Sequence, residues 1–200
     1  MSTSDIPIFP LNTVLLPGGY LPLRIFEQRY IDMVRDCSAN GSCFGVCLIN
    51  KPENPESPAT HVRIGTTAEI FDFSTTDDGL LGIAVRGMQK FVFQKTRMRD
   101  NGLLMAEVTL FTETELVEVP VEYSVLSMIT GRLMEQLGRN YPDFLPADLQ
   151  DAYWVGYRLS ELLPLENDEK QALLQITDPL ERLQVLIGVL PRFQDSGEAI

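Results

Sequence analysis

The sequence predicts an α+β protein, a small strand-built barrel with one helix followed by a bundle of helices. Three observations predict it. From Ile6 to Val119 apolar residues recur mostly at period two, between turn-forming residues. After Pro120 they recur every three or four positions, the spacing of a helix face. Strands come first and helices second, and that segregation belongs to α+β rather than parallel α/β architecture. The expected division is a β-barrel subdomain over 1–119, a helical bundle over 120–195 and a flexible tail over 196–200.

Residues 6–11 and 14–16 are short and punctuated by proline, and Ile6 and Phe9, each before a proline, are kept out of the α region. Pro17-Gly18-Gly19 is a turn that needs special backbone angles, after which 20–25 extends again. Residues 27–40 break the pattern. There Tyr30, Ile31, Met33 and Val34 follow helical spacing, and Asn40-Gly41 supplies a stop. Next come an apolar strand over 43–49 and a loop over 51–59 with Pro52, Pro55 and Pro58. Strands over 62–73, 80–86, 89–97 and 103–111 follow. They are separated by Asp77-Asp78-Gly79, Gly87 and Asp100-Asn101-Gly102, of which the first and last are strong hairpin signals. About six strands with tight turns suggest a closed sheet, which removes exposed edges.

Beyond Pro120, Leu126, Ile129, Leu133 and Leu137 line one face of a helix. Leu149, Tyr153, Gly156, Leu159 and Leu163 line a second, which Pro164 closes. A third opens at Asn167, with Asp168 and Glu169 in its first turn at the positive end of the helix dipole. A fourth opens at Asp178-Pro179-Leu180-Glu181, an N-cap, a proline and an acid in order, and Pro191 stops it. Each helix carries a single apolar stripe that needs a partner face, so the segment after Pro120 is not expected to fold independently.

The net charge of −12 and pI near 4.5 oppose nucleic-acid binding, which depends on Lys and Arg displacing counterions from phosphates. No basic and apolar leader opens the chain, and no apolar run approaches the roughly 20 residues of a membrane span, so a cytoplasmic protein is expected. Cys37, Cys43 and Cys47 lack the paired spacing of a zinc site, and His61 is the sole imidazole, so the three are read as free thiols.

Enzymatic constellations are missing one by one. No Gly-Lys pair exists, hence no phosphate-cradling loop. A Ser-His-acid triad would have to use His61, which stands at a strand start with no nucleophile elbow nearby. Cys43 and Cys47 lie in apolar strand context, which raises a thiol pKa and makes it inert. Lys51, Lys90, Lys95 and Lys170 are read as solvated. Asp77-Asp78 is turn chemistry, and Glu113, Glu115 and Glu118 form a solvated face. No catalytic group, metal or cofactor is expected.

One segment is not generic. Residues 8–30, IFPLNTVLLPGGYLPLRIFEQRY, resemble the opening of the Lon protease N-terminal domain, through Phe9, Pro10, Leu11, Val14, Leu15, Pro17, Gly18, Pro22, Leu23, Ile25, Phe26, Glu27, Arg29 and Tyr30. Downstream, Phe44-Gly45-Val46, Gly65-Thr66 with Ala68 to Ile70, Gly82-Ile83 through Phe91, Lys170-Gln171 with Leu173-Leu174, and Glu181-Arg182-Leu183 are similar to later parts of the same pattern.

The resemblance implies a PUA-like barrel with a C-terminal helical bundle, and a module that binds protein or unfolded-polypeptide segments as adaptor or scaffold, as a similar domain does in cereblon. The ATPase and Ser-Lys peptidase segments of Lon are not in this sequence, so recognition rather than catalysis carries over. Two alternatives stand beside it: a hydrolase using the barrel–bundle cleft, and an RNA-binding PUA-like protein, which the acidic charge opposes. Pro17, Gly18, Arg24, Phe26, Glu27, Arg29 and Tyr30 are read as structural, with Phe26 and Tyr30 in the core and the three charged residues as an ion-pair network pinning the helix. Tyr20, Phe71, Phe73, Met88 and Phe91 are the candidates for contacting a bound chain, because aromatic rings and methionine bury much area adaptably.

Overall fold

Strand β1 (Thr3–Leu11) pairs antiparallel with β7 (Leu104–Leu110) on one edge and parallel with β3 (Phe44–Asn50) on the other. From β7 the ladder continues through β6 (Leu81–Met98) and β5 (Ile64–Thr75) back to β3. Five strands therefore return on themselves in a closed ring of pairings. Strand β2 (Tyr20–Ile25) pairs with the first part of β6, and the two-residue β4 (Thr60–His61) with the end of β3. The computed structural model describes residues 3–50, 60–112, 115–138 and 144–194. The expected proline-rich loop over 51–59, Lys51, Glu113 and the expected tail over 196–200 lie outside them.

Alternation along β1 sends successive residues to different cores. Ile6 and Ile8 join Phe91, Phe93, Ala106 and Val108 in one cluster, while Phe9 joins a second built around α1 (Gln28–Asn40). The buried face of α1 is Tyr30, Met33, Val34 and Cys37. Gly41 ends the helix in the left-handed region, its N–H bonded to the Cys37 carbonyl. The two hairpin signals hold: Gly79 and Gly102 take φ of 80° and 79° in the β5–β6 and β6–β7 turns.

Several local expectations yield to packing. Residues 14–16 form no strand; Leu15 and Leu16 are buried from a loop that docks on β6, with Gly18 donating to the Gly87 carbonyl and Gly87 to that of Gly19. Gly87 is thus not a turn between two strands but the point where one long strand meets that loop, and a Cβ there would overlap the Leu16 carbonyl oxygen. Opposite it, Thr67 faces both Met88 and Gln89 in a bulge, which its hydroxyl closes by accepting from Gln89 N at 3.0 Å. The bulge resets the alternation and turns Lys90 inward. Lys90 is buried, its ammonium 4.8 Å from the Phe111 ring centre, not solvated as its flanks suggest. Lys170 is half-buried and donates to the Glu161 carbonyl, whereas Lys95 is exposed as expected.

The chain divides into two compact units, Met1–Thr112 and Glu113–Ile200. The second holds α2 (Ser124–Leu137), α3 (Ala152–Leu162), α4 (Asn167–Gln175), α5 (Pro179–Val189) and the short α6 (Pro191–Gln194). Its boundary precedes Pro120 because Val117 and Val119 pack with the helices, tied by Val119 N to the Gln150 carbonyl and Ala152 N to that of Val117. The second helix starts later than its stripe implies. Leu149 sits in a 3₁₀ turn, and Asp151 caps α3 by accepting from Tyr153 N. The fourth helix, α5, ends at Val189 ahead of Pro191, which then opens the short α6. The stripes converge in one core that includes Leu126, Val155, Leu159, Leu163, Leu183 and Leu186.

Candidate functional site

The motif of residues 8–30 gathers around a groove of about 410 Å³ in the first unit. Its walls come from the end of β1, from β2, from the start of α1 and from the β6–β7 hairpin. Phe9 stacks on Tyr30 with ring centres 4.1 Å apart, which seats the first turn of α1 on β1. Burial pushes the Tyr30 hydroxyl above its ordinary pKa; the Arg29 guanidinium opposes that shift and the Glu27 carboxylate adds to it.

Arg29 is the hub of this corner. It meets Glu27 at 2.7 Å, donates to the Gly102 carbonyl at 3.0 Å and lies 4.8 Å from the Tyr30 ring centre. These contacts pin α1 to the β6–β7 hairpin. Arg24 takes a different partner, Asp78 of the β5–β6 turn, so the expected three-residue network is two separate pairs. The bond from Thr76, and then the charge of Arg24, hold the Asp78 carboxyl below its usual range. Two polar atoms of the groove residues are buried without a partner among the described residues, Arg29 Nε and His61 Nδ1.

Phe26 is not a core residue. It is 68% exposed in the lining of the groove, and Met98, also in the lining, is 64% exposed. It precedes the first helical residue and so escapes the buried face of α1. Met98 carried no sequence signal, because one methionine at a strand end reads as ordinary β pattern.

The five aromatic and methionine candidates separate. Tyr20 and Phe71 meet edge to face at 5.2 Å, with the Arg86 guanidinium 5.9 Å from the Tyr20 ring centre. Phe71 is 53% exposed because a second bulge, between Ile70 and Asp72, leaves it without a partner on β6. Phe73 and Met88, 52% and 43% exposed, share another groove, of about 690 Å³, with Ile70 and Cys43. Phe91 is fully buried and cannot meet a partner. Its ring fills the space left by two glycines, since a Cβ on Gly45 or Gly65 would come within 2.7 and 2.8 Å of its Cζ.

All three cysteines are free, and burial raises each thiol pKa, that of Cys47 to about 12. His61 stands half-buried on β4. Among the described residues no three His, Cys, Asp or Glu side chains gather where a metal would bind, and no helix is long and apolar enough to cross a membrane. The groove offers apolar walls with a few charges, a surface suited to binding.

Comparison with known proteins places these features. Residues 5–192 match the family described as the ATP-dependent protease La (LON) substrate-binding domain. A Lon N-terminal domain protein from Xanthomonas campestris, of known crystal structure, is 39% identical with a TM-score of 0.77, covering 92% of this chain and 98% of that one. The N-terminal domain of a Mycobacterium avium complex Lon protease shares the fold, with a TM-score of 0.64 at 21% identity over 92% of this chain and 97% of that one. Lon protease of Endomicrobium trichonymphae is 25% identical over 92% of this chain, and zebrafish (Danio rerio) cereblon 29% over 56%. The chain spans about a quarter of the length of these relatives, 24% and 26%.

Proposed function

The chain belongs to the Lon substrate-binding domain family, and from that premise we propose that it binds polypeptide segments without altering them, as an adaptor or scaffold. The observation that carries this reading is the family match over residues 5–192, confined to the part whose family description is substrate binding. Exposed rings and methionines on the first unit support it. Tyr20, Phe71, Phe73 and Met88 are kept as candidate contact residues, while Phe91 serves the core. The net charge of −12 argues against nucleic acid, and three unpaired cysteines accord with a reducing, cytoplasmic setting.

Fluorescence anisotropy with fluorescein-labelled, dephosphorylated β-casein, a chain without stable tertiary structure, tests the reading. If apolar burial supplies the affinity, binding persists when salt rises from about 0.05 to about 0.5 M, because screening weakens charge attraction and leaves apolar contact intact. Loss of binding over that range would point to an electrostatic site. Release of casein fragments by the purified chain in the presence of ATP and magnesium would end the non-catalytic reading.

A further inference from the structure

We propose that the groove holding Phe73 and Met88 is where a polypeptide segment docks, and that its occupant is apolar with one lysine or arginine among its side chains. Resting on the polypeptide-binding reading, this names the place and the class of segment. Strand β5 pairs with β3 only as far as Ala68, while its ladder to β6 runs on to Thr75. The stretch past Ala68 lines the groove of about 690 Å³, together with the start of β1 and the end of α1. Ile70 and Phe73 come from β5, Ile6 from β1 and Leu110 from β7. Met88, beside the bulge at Thr67, completes the apolar wall. Phe73 and Met88 are 52% and 43% exposed, so a ring and a thioether stand ready to be covered. A space of this size takes several side chains.

Charge selects among apolar segments. The charged residues of the lining are two carboxylates, Asp5 and Glu69. Asp5 is held by Arg97. Glu69 is exposed and makes no ion pair among the described residues. Arg86, opposite it in the ladder, stands by the Tyr20 ring, 5.9 Å from its centre. Burial pushes the Cys43 thiol up and the Glu69 carboxylate adds to that shift, so this charge reaches the groove wall.

The end of α1 works in the same direction. Cys37 and Ser38 of its last turn line the groove, that turn holds no basic residue, and a helix C-terminus is the negative end of its dipole. Arg99, whose charge reaches Cys37, is paired with Asp36 at 4.0 Å. A lysine or arginine of the bound segment lays its stem on the apolar wall and brings its head to Glu69. An aspartate or glutamate in its place meets like charge. The groove beside Phe26 offers no such choice, because its two arginines already hold carboxylates.

Fluorescence anisotropy on the full chain, with labelled eight-residue peptides that are apolar except for a central lysine, glutamine or glutamate, reads the selection. The lysine peptide is expected to bind about fivefold more tightly than the glutamate peptide, and Glu69→Gln to narrow that ratio to within about twofold. Phe73→Ser and Met88→Ser, both at exposed positions, are each expected to weaken binding of dephosphorylated β-casein about fivefold or more, while Phe26→Ser leaves it within about twofold. Hydrogen exchange with saturating casein is expected to slow at the amides of residues 69–73. Casein binding that both groove variants leave unchanged, or protection confined to other segments, overturns this site and leaves the polypeptide-binding reading standing. Equal binding of the three peptides, no binding by any of them included, or a lysine preference that survives Glu69→Gln, overturns the charged occupant. Self-association of the free chain in sedimentation, lost in Phe73→Ser, gives the groove to a second copy and overturns the proposal as well. Absence of any casein or peptide binding removes both readings together.

Discussion

Arg182 shows how one side chain can hold a helical unit together. It is fully buried on α5, and its side-chain hydrogen bonds go to carbonyls and a hydroxyl. Its Nε donates to the Leu173 carbonyl at 3.1 Å, and Nη2 to the Ile176 carbonyl at 2.5 Å and the Tyr157 hydroxyl at 3.3 Å. Those carbonyls belong to the last turn of α4, where helix geometry leaves acceptors unmatched and the dipole is negative. The guanidinium also lies 4.0 Å from the Tyr157 ring centre. Gly156 admits the arginine stem, since a Cβ there would come 3.0 Å from Arg182 Cδ. Arg182→Ala strands buried carbonyls and leaves a cavity, so a loss of about 3 kcal/mol or more in urea denaturation is expected. Arg182→Lys keeps the charge without the planar fork and is expected to fall between that variant and the parent. A lysine variant as stable as the parent would show that charge, not geometry, is what matters there.

Helix ends are where local sequence and measured stability connect most directly. Asp178 caps α5 by accepting from Leu180 N, with Pro179 at the first helical position. Asp178→Ala is expected to cost about 1 kcal/mol, read from the urea midpoint. At α4, Glu166 and Glu169 form a reciprocal capping box, and Glu169 also pairs with Arg192 of α6. The bond from Arg192, then that from Glu166 N–H, hold the Glu169 carboxyl below its ordinary pKa. A carboxylate with a depressed folded pKa stabilises the fold above its unfolded pKa and loses that contribution as pH falls through the folded value. Glu169→Gln should therefore lower the urea midpoint at neutral pH, with the gap shrinking below about pH 4. An equal gap at pH 7 and pH 3 would mean that the carboxylate charge plays no part.

At the scale of the whole molecule, each unit owns its core. The helical cluster draws only on residues beyond Leu116, and its stripes face one another. The single stripes led to the expectation that the segment after Pro120 would not fold independently, yet packed together they supply each other's partner face. A fragment of residues 113–200 is thus expected to unfold in one cooperative thermal transition by circular dichroism. A broad, featureless melt would show that the first unit contributes to its stability.

What the sequence determined by itself is whatever nearby residues enforce. The two hairpins rest on glycines with positive φ, α1 on a three-four spacing and a glycine stop, and the α5 start on Asp178 and Pro179. The family pattern of residues 8–30 was legible for the same reason, since its prolines and glycines shape backbone at fixed spacing. What only the tertiary structure decided is which side chains are covered. Phe26 and Phe91 read alike as apolar, yet one is in a groove lining and the other in the core. Phe91 is enclosed because Gly45 and Gly65, distant in sequence, vacate the space its ring takes. The bulge at Thr67 and the loop docked on Gly87 likewise turned Lys90 inward and exposed Met88. Burial is a relation between segments far apart along the chain, so no local pattern specifies it. The groove beside β2 belongs to that second kind, for it exists only where segments distant in sequence meet.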